Sequence, residues 1–159
     1  MNRVVVVALV AVVQLACVGA AVAPQLSSRL TGDDYRMRVR PLDPIDPFRG
    51  AYVTLGYPGL QTPGGSRPPS MDDGKRGAVY VPLVEEDGYW VAADFRRTRP
   101  ADGPYLACDD SDWAIRCGIE SWFVSQDRAA ELERSLAEDG GVATIRIDDR
   151  GRATVVDVQ

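Results

Sequence analysis

Hydrophobic and polar positions divide this chain into one long apolar run and a series of short alternating ones. Val4 to Ala23 reads VVVVALVAVVQLACVGAAVA, in which only Gln14 is polar. In a helix rising ~1.5 Å per residue, such a run matches the ~30 Å hydrocarbon core of a bilayer, which predicts a spanning helix. Arg3 precedes it, so the positive-inside tendency places the N-terminus in the cytoplasm and sends the rest outward. A cleaved secretory signal is the competing reading, since Ala21-Val22-Ala23 has the small-residue cleavage pattern. Pro24 would then stand at the first mature position, where proline is poorly accepted, so the anchor is favoured. A third version lipidates Cys17, although Gln14-Leu15-Ala16 is a poor lipoprotein box. All three export the remainder of the chain.

Beyond the run the period is two. Tyr35, Met37 and Val39 alternate with Arg36, Arg38 and Arg40, predicting a first strand that turns three arginines to one face. We read this face as solvated and as a charge guard against edge pairing; the sharper alternative is a stripe that meets an acidic partner or a phosphate head group. Ala51, Val53, Leu55 and Tyr57 alternate with Tyr52, Thr54 and Gly56, giving a second strand. Ala78 to Val84 and Tyr89 to Phe95 flank a Glu85-Glu86-Asp87-Gly88 turn and predict a hairpin, with Pro82 marking an edge. Ser125 or Asp127 caps a helix to about Ala137, whose Ala129, Leu132 and Leu136 share one side and which Gly140-Gly141 ends. Val142 to Ile147 and Arg152 to Val158 close the chain as a hairpin around Asp148 to Gly151.

Two connections stand out. In Pro41 to Gly50, PLDPIDPFRG, each X-Pro step pushes the residue before it out of the helical region and each proline lacks an N–H, which predicts a stiff corner feeding the second strand. Asp43 and Asp46 are read as turn formers there, in preference to an acid and base pair. Pro58 to Gly77 is dense in proline and glycine and is expected to be a mobile surface loop (residues 58–77) that buries too little apolar surface to order itself.

The predicted fold class is α+β and mainly β: a transmembrane helix, then a mostly antiparallel sheet or small barrel with one short packed helix. Residues 1–24 form the anchor or signal segment, 25–34 a juxtamembrane linker and 35–159 the exported domain. Trp90, Trp113, Trp122, Phe95 and Phe123 are expected to anchor the core.

Composition removes several function classes. The formal charge of −5, without a basic run, argues against nucleic acid as partner. With no histidine, Ser-His-Asp, Cys-His and His-ligated metal chemistry are excluded, and no metal or cofactor is expected. Cys108 and Cys117 flank a turn-prone acidic insert, and in an oxidising compartment they are expected to pair as a disulfide. The enzymatic alternative is a membrane-anchored Ser/Lys hydrolase of the signal-peptidase type, using Ser27 or Ser28 with Lys75, the only lysine. Ser27-Ser28 is followed by Arg29 and not by the Met of that family, and a lysine in a wet loop keeps its proton at neutral pH.

Gly50-Ala51-Tyr52-Val53-Thr54-Leu55-Gly56-Tyr57, with Pro41 to Arg49 before it, resembles the motif of the bacterial GDYXXLXY proteins, membrane-anchored envelope proteins without an established activity. Ala51 stands where the family name has Asp. Cys117-Gly118-Ile119-Glu120-Ser121-Trp122-Phe123-Val124 is similar to the family's G-I-E-S-(aromatic)-F-V segment. The resemblance implies a single-pass protein of the bacterial cell membrane with its C-terminal domain outside the cytoplasm. By association, it also implies a multi-spanning membrane protein as partner. The function expected is a non-catalytic module that binds or stabilises a membrane or envelope partner. The interaction surface expected is Asp46, Pro47, Arg49, Gly50, Tyr52 and Tyr57, since a preorganised proline corner orders at little cost. Cys108, Cys117, Glu120 and Trp122 are expected to be structural; Glu120 is placed inside an apolar strand, and if its side chain points inward, Arg49 is the candidate partner for a structural ion pair.

Overall fold

The computed structural model describes residues 2–41, 52–61, 71, 74–112 and 114–159. The apolar run forms α1 (Arg3–Thr31), and its Arg3–Val22 stretch, long and apolar enough to cross a membrane, is wholly exposed. The helix does not stop at Pro24. The expected linker of residues 25–34 is a further pair of helical turns, Gly32, and the start of β1 (Asp33–Pro41). α1 lies against the C-terminal hairpin, and such tertiary contacts stabilise a helix beyond its local signal.

A five-stranded antiparallel sheet is built from β1, β2 (Tyr52–Gly56), β6 (Ser121–Phe123), β7 (Gly141–Ile147) and β8 (Ala153–Val158) in the order β6-β2-β1-β7-β8. Alternation decides what it buries: Met37, Val39, Val53, Leu55, Ala143, Ile145 and Ile147 point inward, while Arg36, Arg38 and Arg40 are exposed as expected. The edge-guarding role of the arginines is corrected, because β1 lies inside the sheet, paired to β7 over residues 33–39 and to β2 at Arg40 and Pro41. In the closing hairpin, Asp148 shapes the turn by accepting from the backbone N–H groups of Arg150 and Arg152, both at 2.9 Å.

The second sheet has the order β4-β3-β5, from β3 (Ala78–Glu86), β4 (Tyr89–Ala92) and β5 (Tyr105–Asp109). Asp87 (φ 52°) and Gly88 (φ 79°) make the two-residue hairpin turn. Pro82 does not mark an edge: β3 is the central strand. It pairs with β5 from Ala78 to Pro82 and with β4 from Leu83 onward, so the missing N–H falls where the β4 ladder ends. The strand β5 has no period-two signature because Tyr105, Leu106 and Cys108 are all buried, on both of its faces.

The two sheets meet to make a nearly closed barrel. On one side Ala107 N–H donates to the Gly151 carbonyl at 2.8 Å, and the Tyr105 hydroxyl to the Asp149 carbonyl at 3.2 Å. On the other, β4 lies beside β1 without a ladder: inside, Tyr35 meets Trp90 edge to face at 5.0 Å; outside, Arg38 stacks 4.5 Å over Tyr89.

The short helix α2 (Gln126–Asp139), with Ser125 at its N-cap and Gly140 (φ 71°) at its C-cap, buries Ala129 and Leu136 and half-buries Leu132. Two further expectations change. In the stretch 58–77, Pro58–Leu60 forms a 3-10 turn and Met71 is fully buried, so the segment does contribute to the core; residues 62–70 and 72–73 lie outside the described residues. Trp90, Phe95 and Trp122 pack against the core, but Phe123 is 74% exposed, because alternation along β6 turns it away from the face that holds Trp122. Trp113 lies outside the described residues.

Candidate functional site

The two segments that carry the family resemblance, separated by some sixty residues, are one structural unit. The strands β2 and β6 pair antiparallel, with Tyr52 opposite Phe123, Val53 opposite Trp122 and Thr54 opposite Ser121. Beyond them Leu55 N–H donates to the Glu120 carbonyl at 2.8 Å, and the buried Tyr57 hydroxyl donates to the Ile119 carbonyl at 2.8 Å. Burial, with the nearby Glu120 carboxylate, pushes the Tyr57 phenol well above its ordinary pKa.

Glu120 stands just before β6, the strand expected to hold it, and the Arg49 expected to pair with it lies outside the described residues. The Glu120 carboxylate turns back to accept the backbone N–H groups of Cys117 and Gly118, the latter at 3.0 Å. Gly118 sits at φ 80°, so the carboxylate satisfies a tight turn. The turn is fastened at Cys117 by the disulfide to Cys108 (S–S 2.04 Å), as expected from their flanking positions.

Beside this unit the seam between β1 and β4 opens into a cleft of about 200 Å³. Its lining runs from buried Tyr57 and Met37 through half-buried Leu60 and Trp90 to exposed Arg38, Glu86 and Asp87, so the charged groups stand at the solvent side. The 3-10 turn sits directly on β4: a Cβ at Gly59 would lie 2.7 Å from a Val91 methyl carbon. Glu86 and Tyr89 are opposite one another in register and therefore share the outer face, and Arg38 covers the Tyr89 ring. Cation, ring and carboxylate thus follow one another across the outer face. Among the described residues, Arg38, Glu86 and Asp87 enter no ion pair.

The family profile described as GDYXXLXY protein matches residues 14–158. The chain belongs to the GDYXXLXY family. No curated protein and no solved structure matches it.

Within this GDYXXLXY domain the expected surface divides. Tyr57 is only 5% exposed and serves as floor and fastener, because its place in the alternation of β2 turns it inward. Tyr52 opens β2, while Asp43, Asp46, Pro47, Arg49, Gly50 and Ala51 lie outside the described residues. Trp122 is half-buried against the core. Lys75 is exposed, and Ser27 and Ser28 belong to α1. Among the described residues no three thiol or carboxylate groups converge to hold a metal.

Reading the sequence missed one buried charge. Asp110 is fully buried and receives both terminal nitrogens of Arg97 at 2.9 Å, together with Gly77 N–H at 2.8 Å. Arg97 also donates to the carbonyls of Lys75 and Ala78. Asp110 sits in the acidic run Asp109-Asp110-Ser111-Asp112, and nothing in that run singles it out. The pairing of β3 with β5, which sets Ala78 opposite Asp109, is what brings Gly77 and Asp110 together.

Proposed function

We propose that this GDYXXLXY protein is a single-pass membrane protein, N-terminus inside, whose exported domain binds or stabilises another membrane protein and carries no catalytic step. The observation that carries the reading is continuity. An exposed apolar helix of spanning length runs through Thr31 and reaches β1 with only Gly32 between them, so the domain is held close to the bilayer on a short, stiff support. Arg3 before the helix and the Cys108–Cys117 disulfide beyond it support the outward orientation.

The recognition face we propose is the outer strand β6 with its exposed Phe123, with β2 beside it and, from the sequence, the Asp46, Pro47, Arg49 and Gly50 segment that precedes β2. An exposed aromatic residue on the outer strand of a sheet offers an apolar anchor to an incoming segment. A photocrosslinking residue placed at position 123 of the full chain, in native membranes, is expected to capture an integral membrane protein. Arg49→Ala and Tyr52→Ala are expected to reduce that product, and the same label at exposed Val84 should not give it. A product no stronger at 123 than at 84 removes the proposed face.

A further inference from the structure

We infer that the cleft at the β1–β4 seam is a binding site for a small zwitterion, a free α-amino acid with an apolar side chain. The inference is independent of the partner-recognition reading, since the charged residues it uses are not those of the proposed recognition face.

Three observations lead to it. The first is size: about 200 Å³ lies below the ~300–1,000 Å³ of sites for drug-sized ligands and suits a molecule of amino-acid size. The second is the wall, where Leu60, Trp90 and the ring of Tyr57 present apolar surface; the Tyr57 hydroxyl is already committed to Ile119 and is not offered to a ligand. The third is charge. Arg38 brings a guanidinium to the mouth, and Glu86 and Asp87 bring carboxylates to the same mouth, yet among the described residues these groups do not pair. The Tyr89 ring lies under Arg38 and opposite Glu86, which holds the cation and the carboxylate apart.

A separated cation and anion above an apolar pocket match a ligand that carries both charges next to an apolar group. The guanidinium takes the ligand carboxylate through two parallel N–H donors, and the Glu86 and Asp87 carboxylates take the ammonium. A purely acidic ligand meets repulsion from the hairpin turn, and a purely basic one from Arg38, so each singly charged analogue loses one attraction and gains a penalty. Zwitterionic lipid head groups share the charge pattern but lack the apolar side chain that the walls require.

The test uses the full chain in nanodiscs of phosphatidylglycerol, which has no zwitterionic head group, with ligand-observed saturation-transfer NMR. Leucine is compared with 4-methylpentanoate, which lacks the ammonium, and with isopentylamine, which lacks the carboxylate. Leucine is expected to bind at least about tenfold more tightly than either. Arg38→Gln should lower leucine to the level of isopentylamine, and Glu86→Gln with Asp87→Asn to that of 4-methylpentanoate. Absence of transfer to leucine, or equal affinity for the three probes on the unaltered chain, overturns the inference without depending on any variant. Displacement of leucine by equimolar O-phosphoethanolamine assigns the cleft to a lipid head group and overturns it as well.

Discussion

The Tyr57 hydroxyl donates a 2.8 Å hydrogen bond to the Ile119 carbonyl, joining the end of one family motif to the start of the other across 62 positions of sequence. The same junction includes the β2–β6 ladder and the bond from Leu55 to Glu120, so a single side chain fastens a strand pair of only three residues a side.

Tyr57→Phe keeps the buried ring but leaves a buried carbonyl without this donor, and should cost about 1–3 kcal/mol in denaturant unfolding. Its pH signature has a definite sign. In the unfolded chain the phenol loses its proton near pH 10, whereas burial in the folded chain pushes its pKa up. Below pH 10 both states hold the proton and stability is unaffected; above it only the unfolded chain releases the proton, so stability falls with rising pH. Tyr35 and Tyr105, whose pKa values are also raised, contribute to the same decline. The variant should therefore show a shallower alkaline loss, read from unfolding midpoints between about pH 9 and 11.

Pairing of Cys108 with Cys117 closes a short loop, and its removal by Cys108→Ala with Cys117→Ala should cost about 2–3 kcal/mol in the chain-entropy account. Intact mass of the purified chain should show two hydrogens gained on reduction. Free thiols in the unreduced protein would contradict the structure at this point.

Asp110 is fully buried and Arg97 largely so, which makes the pair sensitive to loss of one partner. Asp110→Ala should destabilise by about 3–5 kcal/mol, because it strands a guanidinium among backbone carbonyls. Joint replacement, Arg97→Met with Asp110→Leu, should recover much of that loss. A double-mutant cycle showing simple additivity would mean that the two side chains do not act together.

Gly151 combines φ 75° with close contact: a Cβ there would lie 2.4 Å from the Tyr105 ring at the join between the sheets. Gly151→Ala should cost more than Gly103→Ala, where φ is 79° but the space is open. The open site carries only the left-handed penalty of about 1–2 kcal/mol. The join adds overpacking of about 1–3 kcal/mol. Thermal melts of the two variants give the difference directly.

The alternation of residues set most of the elements by itself. A buried face at every second position, as in Met37 and Val39 or Val53, Leu55 and Tyr57, is a local property, and so are the helix stripe of Ala129, Leu132 and Leu136 and the turn chemistry of Asp148 to Gly151. The apolar run was equally plain, because twenty residues without a charge admit few other uses. Tertiary structure decided the rest. Whether Pro82 lay at an edge depended on where β3 exchanges one neighbour for another, and β5 was silent because burial on both faces erases the period. The cleft is set by where β1 parts from β4, and the buried Asp110 by a register between strands far apart in the chain. Pairings of that kind arise only when distant segments meet, since no residue's neighbours in sequence record which strand will lie beside it.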